Sequence, residues 1–206
     1  MQRRVFLTGL LAALPLAGAW ADDRTSRAAA FIEAQGKALV AVLDSDAPLP
    51  EKRTEVARIL REAVDVRGVG QFVLGRHWRT ASETQRNQFL ELFEETLVRN
   101  LSARFGELQG VTFEVGRAQP RGEEGVSVAT TVNRPGQPPV LLDWLVSEAS
   151  GRPLIVDLVA EGTSLRITQR SEYSAVIQRG GGRLESLLEA MRRQLAQLEA
   201  RELASN

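Results

Sequence analysis

The sequence predicts one α+β domain, and three observations predict it. Apolar residues recur at helical spacing in the first part of the chain, at every second residue in the middle, and at helical spacing again at the end. Helical and strand-like stretches segregated in this way point to helices before and after an antiparallel or mixed sheet of four strands, not to an alternating βαβ chain. No internal repeat or composition shift divides residues 22–206, so the whole of that span reads as a single domain.

Residues 1–21 read as a secretory signal peptide. Arg3 and Arg4 precede an uncharged run from Val5 to Trp20, and Ala19 and Ala21 supply the small residues of a cleavage site. The run is shorter than the ~20 apolar residues of a spanning helix and stops at Asp22. Arg-Arg-Val-Phe-Leu fits the twin-arginine route as well as ordinary Sec export. Either route carries the remaining 185 residues out of the cytoplasm.

From Ser26 to Leu43, the positions Ala28, Phe31, Ile32, Leu39, Val42 and Leu43 predict a helix. A second follows from Glu51 to Val66 on Val56, Ile59, Leu60, Ala63 and Val64, with Pro48 and Pro50 breaking the chain between the two. Ser82-Glu83-Thr84-Gln85 has the form of a capping box, and behind it Phe89, Leu92, Phe93, Leu97 and Leu101 stripe a long helix running to about Phe105.

After Gly106 and Gly110 the period falls to two. Val111, Phe113 and Val115 predict one strand, and Val126, Val128, Thr130 and Val132 a second. Val140 to Ser147 and Leu154 to Glu161 follow, joined by a Ser150-Gly151 turn, in the meander order of an antiparallel sheet. Between Val159 and Gly182 the pattern passes from strand to helix and closes on Gly180-Gly181-Gly182, where a helix C-cap is expected. Leu184, Leu187, Leu188, Met191, Leu195 and Leu198 make the last segment an amphipathic helix.

The chemistry is bounded by what is missing. There is no cysteine, which removes disulfides, thiolate catalysis and cysteine metal sites. Taking Arg3 and Arg4 from the 26 basic residues leaves 24 against 26 acidic ones, and scattered charges of this balance give no footprint for nucleic acid. The single histidine, His77 in Gly-Arg-His-Trp-Arg, reads as a packing or surface residue beside Trp78. No catalytic residue, metal site or cofactor is therefore expected. Asp143 and Asp157 are the acids a cone-shaped, nuclear-transport-factor-like enzyme would pair in its cavity. Helix capping or an ion pair with Arg152, Arg166 or Arg170 is the plainer role for them.

Parity along the strands separates two kinds of face. Phe113, Val115, Leu142, Trp144, Val146, Val156 and Leu158 carry no charge, whereas Glu114, Asp143 and Asp157 occupy alternate positions together with Leu141, Leu145, Ile155 and Val159. The uncharged set, with Val128 and Thr130 of the second strand and Leu97, Leu101 and Phe105 from the end of the long helix, is the expected lining of an apolar cavity.

Two segments carry a family resemblance. Val159-Ala160-Glu161-Gly162, Ser164-Leu165, Gln169-Arg170-Ser171-Glu172-Tyr173 and Val176-Ile177-Gln178-Arg179-Gly180-Gly181 form one. Phe72-Val73-Leu74-Gly75-Arg76-His77-Trp78-Arg79, leading into Gln85-Arg86 and Phe89, form the other. Together they resemble the MlaC family of toluene-tolerance-type periplasmic phospholipid carriers. The resemblance implies a helical and sheet fold around a cavity for acyl tails, with bound phospholipid as cargo and no enzymatic activity. It also implies transfer between an outer-membrane lipoprotein complex and an inner-membrane ABC transporter, with only transient membrane contact. Leu145 after Asp143-Trp144, Gly151-Arg152-Pro153-Leu154 and Tyr173 depart from the family pattern. A ligand-free periplasmic adaptor stands as a third reading.

Overall fold

A computed structural model describes residues 17–205 of the chain. The expected signal peptide falls largely outside those residues. Helices α1 (Ala17–Asp44), α2 (Leu49–Ala63), α3 (Val66–Leu74), α4 (Arg76–Thr80) and α5 (Glu83–Ser102) come first. Strands β1 (Thr112–Pro120), β2 (Val126–Asn133), β3 (Val140–Ser147), β4 (Leu154–Ala160) and β5 (Thr163–Ser164) follow, and α6 (Leu165–Arg179) and α7 (Leu184–Ser205) close the chain.

The sheet is an antiparallel meander in the order β1-β2-β3-β4-β5. It has five strands where four were expected. The fifth is the two residues Thr163 and Ser164 folding back on Val159 and Ala160, too short to show a period. Gly125 lets the chain enter β2: at its φ of 129°, a Cβ would stand 2.0 Å from the backbone oxygen of Val146, so only glycine fits.

The long helix starts on the expected box. Ser82 Oγ accepts from Gln85 N at 3.1 Å, and Gln85 Oε1 accepts from Ser82 N at 3.0 Å. It ends at Ser102, earlier than expected, and Phe105 belongs to a separate short 3-10 turn. The second helix also stops short of Val66. Val64 leaves it to bridge Ile155, and Asp65 N donates to Ile155 O at 3.0 Å. Asp65 then caps α3 through Gly68 N. Neither α3 nor α4 was read from the sequence, because Gly68, Gly70 and Gly75 interrupt the apolar stripe there.

Two bodies of core result. Phe89, Phe93, Tyr173, Ile177, Leu187, Leu188, Trp78 and Val73 join α3 to α7 in a helical core, with Phe89 and Phe93 stacked at 5.6 Å and Tyr173 edge-on to both. The second core lies between α1 and the sheet. Ala28 and Ile32 of α1 and Ala63 of α2 meet Val126, Val128, Val146 and Ile155. Further along α1, Leu43 meets Val56, Phe105 and Val111.

Replacing Ser82 with Ala removes the cap from an exposed helix start without touching either core. The substitution is expected to cost about 1 kcal/mol in urea unfolding, with an unchanged m-value.

Candidate functional site

The register of the sheet decides which side chains meet. Val115 lies opposite Thr130, Thr130 opposite Leu142, and Leu142 opposite Ala160. The next rung runs Ala118, Val128, Trp144 and Leu158. Residues paired across strands share a face, so an uncharged surface extends over β1 to β4. Its one polar member is satisfied in place: Thr130 Oγ1 accepts from Trp144 Nε1 at 2.9 Å and donates to Leu142 O at 3.4 Å.

Helix α1 covers this surface unevenly, packing on β1 and β2. On this face Val126, Val128 and Thr130 of β2, Val146 of β3 and Ile155 of β4 are buried, whereas Phe113 and Val115 of β1, Leu142 and Trp144 of β3 and Leu158 of β4 are half-buried. Phe113 lies against Gly36, where a Cβ would come within 2.3 Å of its ring. At the head of α1, Arg27 holds Glu148 by a fork of two 3.0 Å hydrogen bonds. That contact holds the Glu148 carboxyl below the usual carboxylate range. The uncharged face is thus a packed core along β2 and at Val146 and Ile155, with an apolar shelf at Leu142, Trp144 and Leu158.

The expected lining residues divide accordingly. Phe113, Val115, Val128, Thr130, Leu142, Trp144 and Leu158 share the face, and Val146 joins them beside Val128. Leu101 and Phe105 pack at its end with Leu43, Val111 and Val132. Leu97 packs instead against the helical core. Val156 also departs from expectation. Leu145 pairs with Asp157 but Val146 pairs with Ile155, so Val156 is the extra residue of a bulge. Ile155, assigned by parity to the charged side, therefore packs with Val126, Val128 and Val146. The contributions of Ala28, Ile32 and Gly36 from α1 were missed, although their spacing of four, in line with Leu39 and Leu43, was there to be read.

A family model described as the MlaC protein matches residues 33–193, well over half of the chain. The chain belongs to the MlaC family. Among solved structures it is similar to a phospholipid-binding protein from Ralstonia solanacearum in complex with a phospholipid, with a TM-score of 0.75 and 22% identity. That match covers 84% of this chain and 98% of the other, and it shows a common fold.

Within this MlaC-family fold, Leu145, which departs from the family pattern, is buried on the face away from α1, opposite Asp157. Gly151 lies in the exposed β3–β4 turn, where Gly151 N donates to Glu148 O at 2.9 Å. Tyr173 packs in the helical core, so none of the three departures touches the shelf.

The two acids weighed for catalysis do different things. Asp157, 7 % exposed, accepts from Ser164 Oγ at 2.6 Å, Leu158 N at 2.9 Å and Arg166 N at 3.1 Å, and pairs with Arg166 Nε at 3.2 Å. Its carboxylate caps the start of α6 and balances a guanidinium, the plainer of the two expected roles. Asp143 is half-buried on the same charged side, opposite Ala129 and Val159. His77 is half-buried too, with its imidazole pushed down by burial and by neighbouring Arg76. Among the described residues no group of three or more His, Asp or Glu side chains is placed to hold a metal ion. No described helix is long and apolar enough to cross a membrane.

Substituting Asp157 with Ala strands the Arg166 guanidinium and uncaps α6. The change is expected to lower unfolding stability by on the order of 3 kcal/mol. Asp157→Asn, which keeps acceptors for Ser164 and the backbone, is expected to lose clearly less in the same denaturation series.

Proposed function

We propose that the protein is a periplasmic phospholipid carrier that holds acyl tails against the half-open shelf of β3 and β4 and releases them between the outer and inner membranes. The observation that carries this reading is the uncharged ladder Leu142, Trp144 and Leu158, half-covered on the α1 side of the sheet. Membership of the MlaC family and the phospholipid held by the similar Ralstonia protein support it.

The physics of the cargo sets the requirement. A diacyl lipid has roughly 30 methylenes, and at about 0.8 kcal/mol each their exposure costs on the order of 20 kcal/mol. A carrier must hide that surface but leaves the headgroup in water, so an uncharged shelf with a polar rim suffices and mixed headgroups are accepted. Phe113, Val115, Val128 and Val146 form the wall under α1, and Leu101 and Phe105 close its end. On this reading no catalytic group is required, and bound phospholipid is cargo, not a cofactor. The exchange partners are the outer-membrane lipoprotein complex and the inner-membrane ABC transporter of the family.

The mature protein purified from Gram-negative cells is expected to carry near-stoichiometric phospholipid of mixed headgroups. Native mass spectrometry and lipid extraction test this, and protein empty of lipid would overturn the carrier reading. Leu142→Arg is expected to empty the shelf while the circular dichroism spectrum persists, because a cation among tails costs on the order of several kcal/mol. Glu114→Arg, on the opposite face, is expected to leave the lipid content unchanged. Equal behaviour of the two variants would place the cargo elsewhere.

A further inference from the structure

The motif Gly75-Arg76-His77-Trp78-Arg79 takes no part in the shelf. It folds instead into a groove lined by Gln71, Phe72, Gly75, Arg76, Trp78, Arg79 and Arg170. The aromatic rings there serve as platforms for cations. Arg67 and Arg86 stand over Trp78 at 5.7 and 5.5 Å, and Arg166 and Arg170 over Phe72 at 4.6 and 5.1 Å. Gly75, at φ 54°, keeps the space that Arg170 occupies, since a Cβ would be 3.0 Å from its Nη2.

Four guanidiniums of this region carry no ion pair among the described residues. Arg27, Arg58, Arg61, Arg166 and Arg193 all hold carboxylates, but among the described residues no carboxylate pairs with Arg67, Arg76, Arg79 or Arg170. The acid beside the groove, Asp65, faces Gly68 and caps α3. All four arginines are exposed. Arg76, Arg79 and Arg170 line one groove that has no acid among its lining residues, a local excess of positive charge in a chain with 26 basic and 26 acidic residues.

A second feature adjoins the first. Arg170 also lines the neighbouring groove on α6 with Ile167 and Ser171. Ile167 in that groove is 55% exposed and Leu165, the first residue of α6, 46%, two of the three large aliphatic side chains so exposed among the described residues. Exposed cations beside exposed aliphatic side chains match a lipid interface, where guanidiniums meet phosphates and apolar side chains enter the acyl boundary. An acidic protein surface would use the arginines and leave Leu165 and Ile167 in water.

We propose that the face formed by α4 and the first half of α6, with Arg76, Arg79 and Arg170 as phosphate contacts and Ile167 as the inserting side chain, docks the protein on anionic phospholipid membranes. The inference rests on the carrier reading, to which it adds the surface that meets the bilayer. Cargo content and vesicle binding are therefore measured separately, so that either can fail alone.

The test is co-sedimentation of the full mature chain with phosphatidylglycerol-containing vesicles and with phosphatidylcholine vesicles over a salt series. Binding is expected to the anionic vesicles only and to fall as salt rises. At about fivefold per basic residue, Arg76→Gln/Arg79→Gln/Arg170→Gln should weaken it on the order of a hundredfold. Arg183→Gln/Arg193→Gln/Arg201→Gln, with the same change of net charge away from the groove, should retain most of the binding. Ile167→Ser should weaken binding while its salt slope stays the same. The proposal is overturned if the wild-type protein shows no preference for anionic vesicles, or if the two triple variants lose binding equally. It is also overturned if the groove variant loses its extracted lipid together with vesicle binding, which would assign the arginines to the cargo site.

Discussion

The packing of α1 across one half of a twisted sheet is the contact on which the rest of the molecule depends. Small residues make it close: Ala28 and Gly36 let the helix approach Val128 and Phe113, and Ile32 fills the space between. A valine buried as completely as Val128 or Val146 is worth about 1.5–3 kcal/mol relative to exposure, so the face is firmly covered along β2 and at the end of β3. One helix is about 10 Å wide and spans roughly two strands at their spacing of about 4.8 Å. Leu142, Trp144 and Leu158 on the same face are left half-covered, and a lipid tail is the reading that fits an uncharged surface of that kind.

Polar contacts also tie α1 to the sheet, at Arg27 in its first half and at Asp44, its last residue. Arg27 forks onto Glu148 at the end of β3, and Asp44 Oδ1 accepts from Gly110 N at 3.1 Å near the start of β1. The helix is therefore tied at two corners of the sheet and packed between them. On the other side of the sheet, Asp157 serves as the joint between strands and helices. One carboxylate fixes the turn into α6, balances Arg166 and, through Arg166, meets both Glu124 and the Phe72 ring. This joint couples the helical core to the sheet without contributing to the uncharged face.

Charge is segregated in keeping with this plan. The shelf carries none, the opposite face carries Glu114, Asp143 and Asp157, and Arg76, Arg79 and Arg170 line one groove on α4 and α6. A protein that hides a greasy cargo and meets its donors and acceptors by surface contact has reason to keep these functions on separate elements. A buried arginine near the tails would incur a heavy desolvation cost.

The sequence by itself determined the helices with uninterrupted stripes, the capping box at Ser82, the strand segments Val126–Asn133 and Val140–Ser147, and the absence of thiol chemistry. Each rests on a local signal repeated over many residues. Tertiary structure alone decided the rest. Alternation predicts a face only while the strand stays in register, and whether it does depends on the partner strand. One extra residue between Val115 and Ala118, and another at Val156, reversed the parity beyond each bulge and brought Ile155 to the apolar side. The short helices around Gly70 and Gly75 form because Val73, Leu74 and Trp78 find a core contributed by α5, α6 and α7, which no local pattern announces. Leu97 and Leu101 lie one turn apart on the same predicted stripe yet serve different cores. A stripe fixes which side of a helix is buried, and only the packed neighbours decide against what.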